Sequence, residues 1–324
     1  MSENRSTVNS TIMGKAYEYA AVVAFMNRVS PIRPVTLIEN SSLEIARTRY
    51  QNDISENERE QMLASATAGV DVILKMEPRI IEDGKDPLEL LIQADNVAKS
   101  GDIRDVLVIR RDITWEIGVS VKHNHEALKH SRLSAKLDFA QLWLNLATSS
   151  TYFSAVGPIF ASLQEMKAKG VTWRSVEGKQ ELVYLPVLEA FMSELKALYG
   201  EHGSAVTRGL IQYLLGSNGA DYYKMIHYNH RVTRVIPFNL FGSLNQSSSS
   251  ATPDTKIPPI DLPTKIIDIS LKEKSLTTVN LTMDNGWSIS FRIHSASTIV
   301  EPSLKFDIQL IGQPANLFFL DVAW

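Results

Sequence analysis

Asp105-Val106-Leu107-Val108-Ile109-Arg110, followed by Trp115-Glu116-Ile117-Gly118-Val119-Ser120-Val121-Lys122, is the stretch on which the reading of this chain turns. Both runs are short, rich in Val and Ile, and separated by the turn-forming Arg111-Asp112, which marks strands rather than helices. A third apolar run, Leu88 to Ala94, precedes them, with a break at Lys99-Ser100-Gly101. The three predict a strand meander. If the second hairpin turns near Arg111 and Asp112, Asp105 falls opposite Gly118 or Val119 and diagonal to Ser120. Side chains alternate along a strand, so Ser120 and Lys122 share one face.

Upstream, helical patterning dominates. Tyr17 to Val29 suits a helix that Pro31 and Pro34 end, and Ser41 or Ser42 is placed to cap a second helix through Tyr50. Ser55 and Glu58 have capping-box spacing for a third, which stops at Glu77 because Pro78 disfavours a helical residue before it.

Downstream, helices are predicted over Ser134 to Ala147, Ala155 to Lys169, Leu185 to Tyr199, Ala205 to Leu215 and Ala220 to Tyr228. The aromatic and Leu stripe there, including Trp143, Leu146 and Phe153, reads as core packing. Tyr222, Tyr223, Lys224 and His227 on the last of these helices are weaker candidates for nucleic-acid contact. Gly242 to Pro263 carries four consecutive serines and four prolines and reads as a mobile or extended linker. Strands come next at Ile266 to Leu271, Thr277 to Thr282, Trp287 to Ile293, Leu304 to Ile311 and Leu317 to Asp321. Asp284-Asn285-Gly286 joins the second and third of them as a hairpin. The fold class is therefore α/β (α+β): a three-strand meander flanked by helices over residues 1–250, and a small all-β domain over residues 251–324.

Composition narrows the function classes. The 324 residues are 44% apolar and 21% charged, which are globular proportions. Cysteine is absent, which excludes disulfides, thiolate zinc sites and a cysteine nucleophile. The first apolar run, Tyr19 to Met26, is too short to span a membrane and lacks a leader's cleavage site, so a soluble cytoplasmic protein without a membrane partner is expected. A formal net charge of −3 argues against a polyanion-binding surface all round, so any nucleic-acid binding is local.

Asp105, Ser120 and Lys122 bring an acid, a small polar group and an amine to one strand end. That set suits phosphodiester hydrolysis. An aspartate holds Mg²⁺, which prefers oxygen ligands, and the lysine orients water or stabilises a pentavalent transition state. It obeys the PD-(D/E)xK nuclease logic of an acid on one strand and acid-x-Lys on the next, except that Ser120 occupies the second acid position. Asp102, Glu126, Asp138, Glu44 and Glu77 are open candidates for the missing carboxylate. Glu116 is less suitable, since six strand residues place it about 20 Å from Lys122.

The segment after Lys122 is basic. His123, His125 and His130 are three of seven histidines, and Lys122 to Lys136 holds four basic residues and one acidic. With Asn124, Lys129, Arg132 and Ser134, the segment offers phosphate neutralisation and base-edge contacts. Zinc at His123 and His125 lacks a third ligand at suitable spacing, since His130 is five residues on. In the terminal β region, Arg292 and His294 share a strand face, and Lys305 on a neighbouring strand can join them to touch phosphate or guanine edges.

Gly101 to Arg110, Trp115 to His125, Lys129 to Ser134, Asp284 to His294 and Glu301 to Asp307 together resemble the HaeIII family of type II restriction endonucleases. The resemblance runs from about residue 15 to the C-terminus. It implies Mg²⁺-dependent, sequence-specific cleavage of double-stranded DNA, with GGCC cut bluntly as the family prototype's site, and a cognate DNA methyltransferase as functional partner. Residue by residue, it carries the nuclease core onto Asp105 and Lys122, with Ser120 at the variant acid position. A palindromic target favours a homodimer on DNA. The alternative is a DNA-binding protein of the same fold without catalysis.

Overall fold

Capping chemistry sets the first helices of the chain. In this computed structural model, which describes residues 10–94, 102–124, 128, 131–216 and 219–324, helix α1 spans Ser10–Val29. Helix α2, Ser41–Asn52, is capped by Asn40, whose side chain accepts from Leu43 N, one residue before the serines expected to do so. Helix α3, Glu56–Met76, carries the Ser55 and Glu58 capping box and ends at Glu77, as the sequence predicts. The three expected strands form as β2 (Leu88–Ile92), β3 (Val106–Arg110) and β4 (Trp115–His123), after a short β1 (Val35–Leu37).

The next segment departs from the pattern. Arg132–Leu133 forms β5, and α4 covers only Phe139–Leu144 because Asp138, not Ser134, supplies the N-cap. Helices α5 (Ser150–Ala168), α6 (Leu185–His202) and α7 (Ser204–Leu214) come after it. The helix expected over Ala220 to Tyr228 is instead strand β6, Tyr222–Tyr228, paired antiparallel with β7, Val232–Phe238. Six of the seven residues of β6 are buried, so it shows none of the alternation that betrays a half-exposed strand. Strands β8 (Ile266–Leu271), β9 (Thr278–Met283), β10 (Ser288–His294), β11 (Leu304–Gly312) and β12 (Leu320–Ala323) complete the chain. The β9–β10 turn has Asn285 at φ 56° and Gly286 at φ 84°, positive values at the two central residues of a turn that Trp287 N closes by donating to Asp284 O at 3.3 Å.

The architecture mixes helices with two sheets. Seven strands run in the order β1-β2-β3-β4-β6-β7-β12, with β1 parallel to β2, β4 parallel to β6 and the other pairs antiparallel. Five run β5-β11-β10-β9-β8, all antiparallel. The meander is thus one part of a larger sheet. Where the sequence suggests one boundary near residue 250, two compact units alternate along the chain. The first comprises the described residues within 1–126, 217–260 and 316–324, and the second those within 127–216 and 261–315. The last expected strand belongs to the first unit, since β12 pairs with β7.

The first unit buries α1 and α3 against its sheet through Tyr17, Phe25, Val70 and Ile73 on the helices and Ile117, Val119, Tyr223 and Val235 on the strands. The serine- and proline-rich segment lies extended in this unit but is tied down. Asn245 Nδ2 donates to Met76 O at 3.0 Å, Arg79 Nε donates to Ser247 O at 2.9 Å, and Leu244 and Ile257 are buried. In the second unit, Phe139, Trp143, Phe191, Phe291 and Phe306 pack edge-on, tilted and stacked into an aromatic core on the inner face of the five-stranded sheet.

Candidate active site

Ser120 and Lys122 sit near the C-terminal end of β4, and Asp105 stands just before β3. The register pairs Val106 with Val119, and Asp105 N donates to Val119 O at 3.0 Å, which extends the ladder by one residue and fixes the aspartate backbone. Its carboxylate then gathers three donors on one oxygen. Lys122 Nζ donates to Asp105 Oδ2 at 2.8 Å, Val121 N at 2.7 Å and Ser120 Oγ at 3.3 Å. The three side chains meet as the sequence suggests, but the register, continued from Val106 and Val119, sets Asp105 opposite Ser120 rather than diagonal to it. Ser120 is fully buried, and its hydroxyl holds the aspartate, while Asp105 and Lys122 remain partly open, with side chains 22% and 31% exposed.

A third group comes from α1. Glu18 is 7% exposed, and Lys15, one turn before it, donates to its Oε2 at 3.1 Å. Burial pushes the Glu18 carboxyl up to about 8, the Asp105 charge pushes it further the same way, and Lys15 and Lys122 oppose. Those influences put Glu18 within electrostatic reach of both Asp105 and Lys122. Sequence reading missed it. The available signal was a lone acid inside the otherwise apolar and aromatic Ala16 to Phe25 stretch, where a charge on the core-facing side of a helix needs a reason.

None of the described carboxylates considered from the sequence sits there. Asp102 is clamped by Arg104, whose Nε and Nη2 donate to it at 2.8 to 3.1 Å, and Glu116 takes Arg104 Nη1 at 2.8 Å. Glu77 is buried under Tyr223 OH and Asn245 N, Glu44 is exposed in the first turn of α2, and Asp138 caps α4 in the second unit. Glu126 lies outside the described residues. Arg104 crosses the face of Gly118, where a Cβ would stand 2.1 Å from Arg104 Cδ. Only glycine admits that crossing. Parallel pairing then sets β6 beside the site, with Gly118 opposite Tyr222 and Ser120 opposite Lys224. The Tyr222 phenol is held neutral by burial, with the charges of Asp105, Asp102 and Asp221 adding to the effect. Tyr222, Tyr223, Lys224 and His227 are therefore buried strand residues and not an exposed helical DNA contact.

Of the basic segment, His123 is half-buried and stacks on His227 with ring centroids 4.8 Å apart. Asn124, at φ 51°, closes a turn by donating to Asn229 Oδ1 at 2.6 Å and accepting from Asn229 N at 3.1 Å. Both residues have structural work there. His125, Lys129 and His130 lie outside the described residues. In the second unit, Arg132 pairs with Ser303 Oγ at 2.9 Å and Glu301 at 3.6 Å, and Ser134 is half-exposed in a hollow with Lys136 and Pro302. Arg292, His294 and Lys305 stand on the polar face of the five-stranded sheet, opposite the buried Phe291, Ile293 and Phe306.

A divalent cation fits the first-unit site by donor chemistry. All three described donors of Asp105 fall on Oδ2, so Oδ1 accepts no bond from a described residue, and a second carboxylate is close by. Oxygen ligands with room for water suit hard divalent cations, Mg²⁺, Ca²⁺ or Mn²⁺, better than zinc. Among the described residues no three His, Asp or Glu side chains converge, so protein ligands alone fill only part of such a shell. Among them also, no helix is long and apolar enough to cross a membrane.

Comparison with known proteins gives one family. A family model described as HaeIII restriction endonuclease matches residues 14–314. The type II restriction enzyme HaeIII of Haemophilus aegyptius is 44% identical over 312 residues, covering 96% of this chain and 97% of that relative. No solved structure gives a significant match.

Proposed function

The chain belongs to the HaeIII restriction endonuclease family, a type II site-specific deoxyribonuclease by that membership, and from this premise we propose that Asp105, Glu18 and Lys122 form its hydrolytic centre. The observation that carries the reading is the convergence of Lys122 Nζ, Val121 N and Ser120 Oγ on one Asp105 oxygen, with the buried Glu18 of α1 in electrostatic reach of it. Type II restriction enzymes generally use a divalent metal, and the proposed one is Mg²⁺, which Asp105 and Glu18 would hold together with water. When bound, it neutralises charge at the scissile phosphate and lowers the pKa of water.

The chain's own residues do the rest. Lys122, fixed by Asp105, presents a compact positive charge that orients the attacking water and stabilises charge as the pentavalent phosphorus forms. Ser120 and Val121 N keep the Asp105 carboxylate in one orientation through Oδ2 and leave Oδ1 without a bond from a described residue. The core is thus read as a PD-(D/E)xK arrangement in which Ser120 has replaced one acid and Glu18 supplies a carboxylate from α1.

The proposed target is double-stranded DNA at GGCC, cut by a homodimer whose twofold axis matches the palindrome. The second unit's polar sheet face, with Arg132, Arg292, His294 and Lys305, contacts that DNA. Action in the cytoplasm alongside a cognate DNA methyltransferase completes the reading. Digestion of a sequenced plasmid with and without Mg²⁺, and then end mapping, tests it. Discrete blunt-ended fragments at one tetranucleotide are expected, whereas a smear, or cleavage of RNA alone, counts against it.

A further inference from the structure

Antiparallel register lines up the basic groups of the second unit's sheet. Arg132 on β5 pairs with Lys305 on β11, and Lys305 pairs with His294 on β10, so three basic residues from three adjacent strands form one transverse row. Directly opposed residues project to the same face. Two residues along β10 and β11, Arg292 pairs with Asp307, on that same face.

The Arg292–Asp307 pair differs from the row beside it. Arg292 is 59% exposed in its side chain, yet its Nη2 donates to Asp307 Oδ2 at 3.0 Å, and Asp307 itself is only 12% exposed. Gln309 Nε2, on the same face of β11, donates to the same oxygen at 3.4 Å. A low-exposure carboxylate thus fixes the orientation of an outward-pointing guanidinium. Only one of its N–H donors is engaged by a described residue. His294 is likewise set, because Nδ1 donates to Ser295 O at 2.8 Å and so carries the proton, leaving Nε2 as the second polar atom of the ring.

Reading a guanine needs that arrangement. The O6 and N7 acceptors lie side by side on the major-groove edge and match two parallel guanidinium N–H groups, provided the plane is fixed before contact. The ammonium and guanidinium groups of Lys305 and Arg132 a row away suit phosphates, which accept hydrogen bonds from many directions. We infer that Arg292, oriented by Asp307, is a specificity-determining residue that reads a guanine edge, while Arg132 and Lys305 bind the flanking backbone. This rests on the nuclease reading above and assigns its sequence preference to one pair.

The experiment uses the full chain and duplexes carrying the mapped site, or that site with one base pair replaced at a time. Cleavage rates give a discrimination ratio for each position. Arg292→Ala is expected to lower that ratio about ten- to a hundredfold at one symmetry-related pair of G·C positions and leave the other positions' ratios in place. Asp307→Asn, which keeps the arginine charge but loosens its anchor, lowers the ratio at the same position by a smaller factor. Lys305→Ala weakens binding to every duplex alike and reduces the slope of log affinity against log salt by about 0.9. Thermal melting of each variant confirms folding, and Arg292→Lys provides a second variant if alanine unfolds the face. Equal loss on all duplexes for both Arg292 variants, or no change on any, overturns the inference while leaving the enzyme intact. A wild-type chain that cuts none of the duplexes overturns the nuclease reading itself.

Discussion

Lys122 and Asp105, seventeen residues apart in sequence, meet at 2.8 Å across the β3–β4 hairpin. The pairing register that aligns Val106 with Val119 makes that meeting obligatory, because it places both side chains at the same open end of the ladder. Replacing Lys122 with alanine removes the positive charge at the reacting phosphate and is expected to lower single-turnover cleavage about 10²- to 10⁴-fold. Filter binding should show cognate affinity nearly kept. An unchanged cleavage rate would remove Lys122 from the centre.

Glu18 supplies the sharpest choice among carboxylates. Glu18→Gln keeps the size and polarity of the side chain, so folding should hold while Mg²⁺ dependence shifts to concentrations at least about tenfold higher. Asp138→Asn and Glu44→Gln should leave that dependence alone. A titration of cleavage rate against Mg²⁺ for the three variants checks it, and equal curves for Glu18→Gln and wild type would contradict the assignment.

Arg104 and Gly118 form a second device. Gly118→Ala drives a methyl into the Arg104 stem, whose Cδ, Cγ and Cβ lie 2.1, 2.5 and 2.8 Å from the Cβ position. The arginine must leave, releasing Asp102 and Glu116. A loss of about 1 to 3 kcal/mol is expected. Since Arg104→Ala removes the two closest atoms, Cδ and Cγ, and leaves only Cβ at 2.8 Å, the double variant should be more stable than the sum of the single losses predicts. Denaturant melts of the four proteins measure the coupling, and simple additivity would show that the crossing is not close-packed.

Burial decided which parts of the fold and site were legible in the sequence. β2, β3 and β4 have apolar runs bounded by turn residues, and the Asp105, Ser120 and Lys122 juxtaposition is a consequence of strand alternation alone. β6 was not legible. Tyr222-Tyr223-Lys224-Met225-Ile226-His227-Tyr228 lies between two strands of the sheet and is buried almost throughout, so its polar residues obey no period. Glu18 was hidden for a related reason, since an acid in an apolar helix looks like an interruption until the strand ends it approaches are known. The composition of the 242–263 segment predicted its lack of regular structure, but not the hydrogen bonds from Arg79 and Asn245 that hold it.

Buried groups make stability depend on pH with opposite signs, the raised carboxyls Glu77 and Glu18 in one direction and His227 in the other. Burial raises the Glu77 carboxyl to about 7, despite hydrogen bonds from Asn245 N and Tyr223 OH that favour its ionised form. The unfolded chain ionises it near 4.5, so its stabilising effect is full below that value and is lost as pH rises toward 7. His227 is held neutral, down to about 4, by burial and then by His123. It stabilises the fold above about 6.5, and that effect is lost as pH falls through 4. Glu77→Gln should therefore remove a fall in stability between about pH 4.5 and 7, so that the rise His227 gives between about 4 and 6.5 becomes steeper than in the wild type. Thermal melting from pH 4 to 8.5 reads the slope, and a curve of unchanged shape for Glu77→Gln would contradict the assignment.

Single-turnover cleavage of duplex DNA by Asp105→Asn is the most direct test, measured beside its cognate binding and thermal melt. Asparagine keeps the shape at residue 105 but removes the charge that fixes Lys122 and the oxygen offered to Mg²⁺. The account predicts a correctly folded protein that binds its site and cuts it at least about a thousandfold more slowly. Cleavage by Asp105→Asn at the wild-type rate, with the same Mg²⁺ requirement, would contradict it.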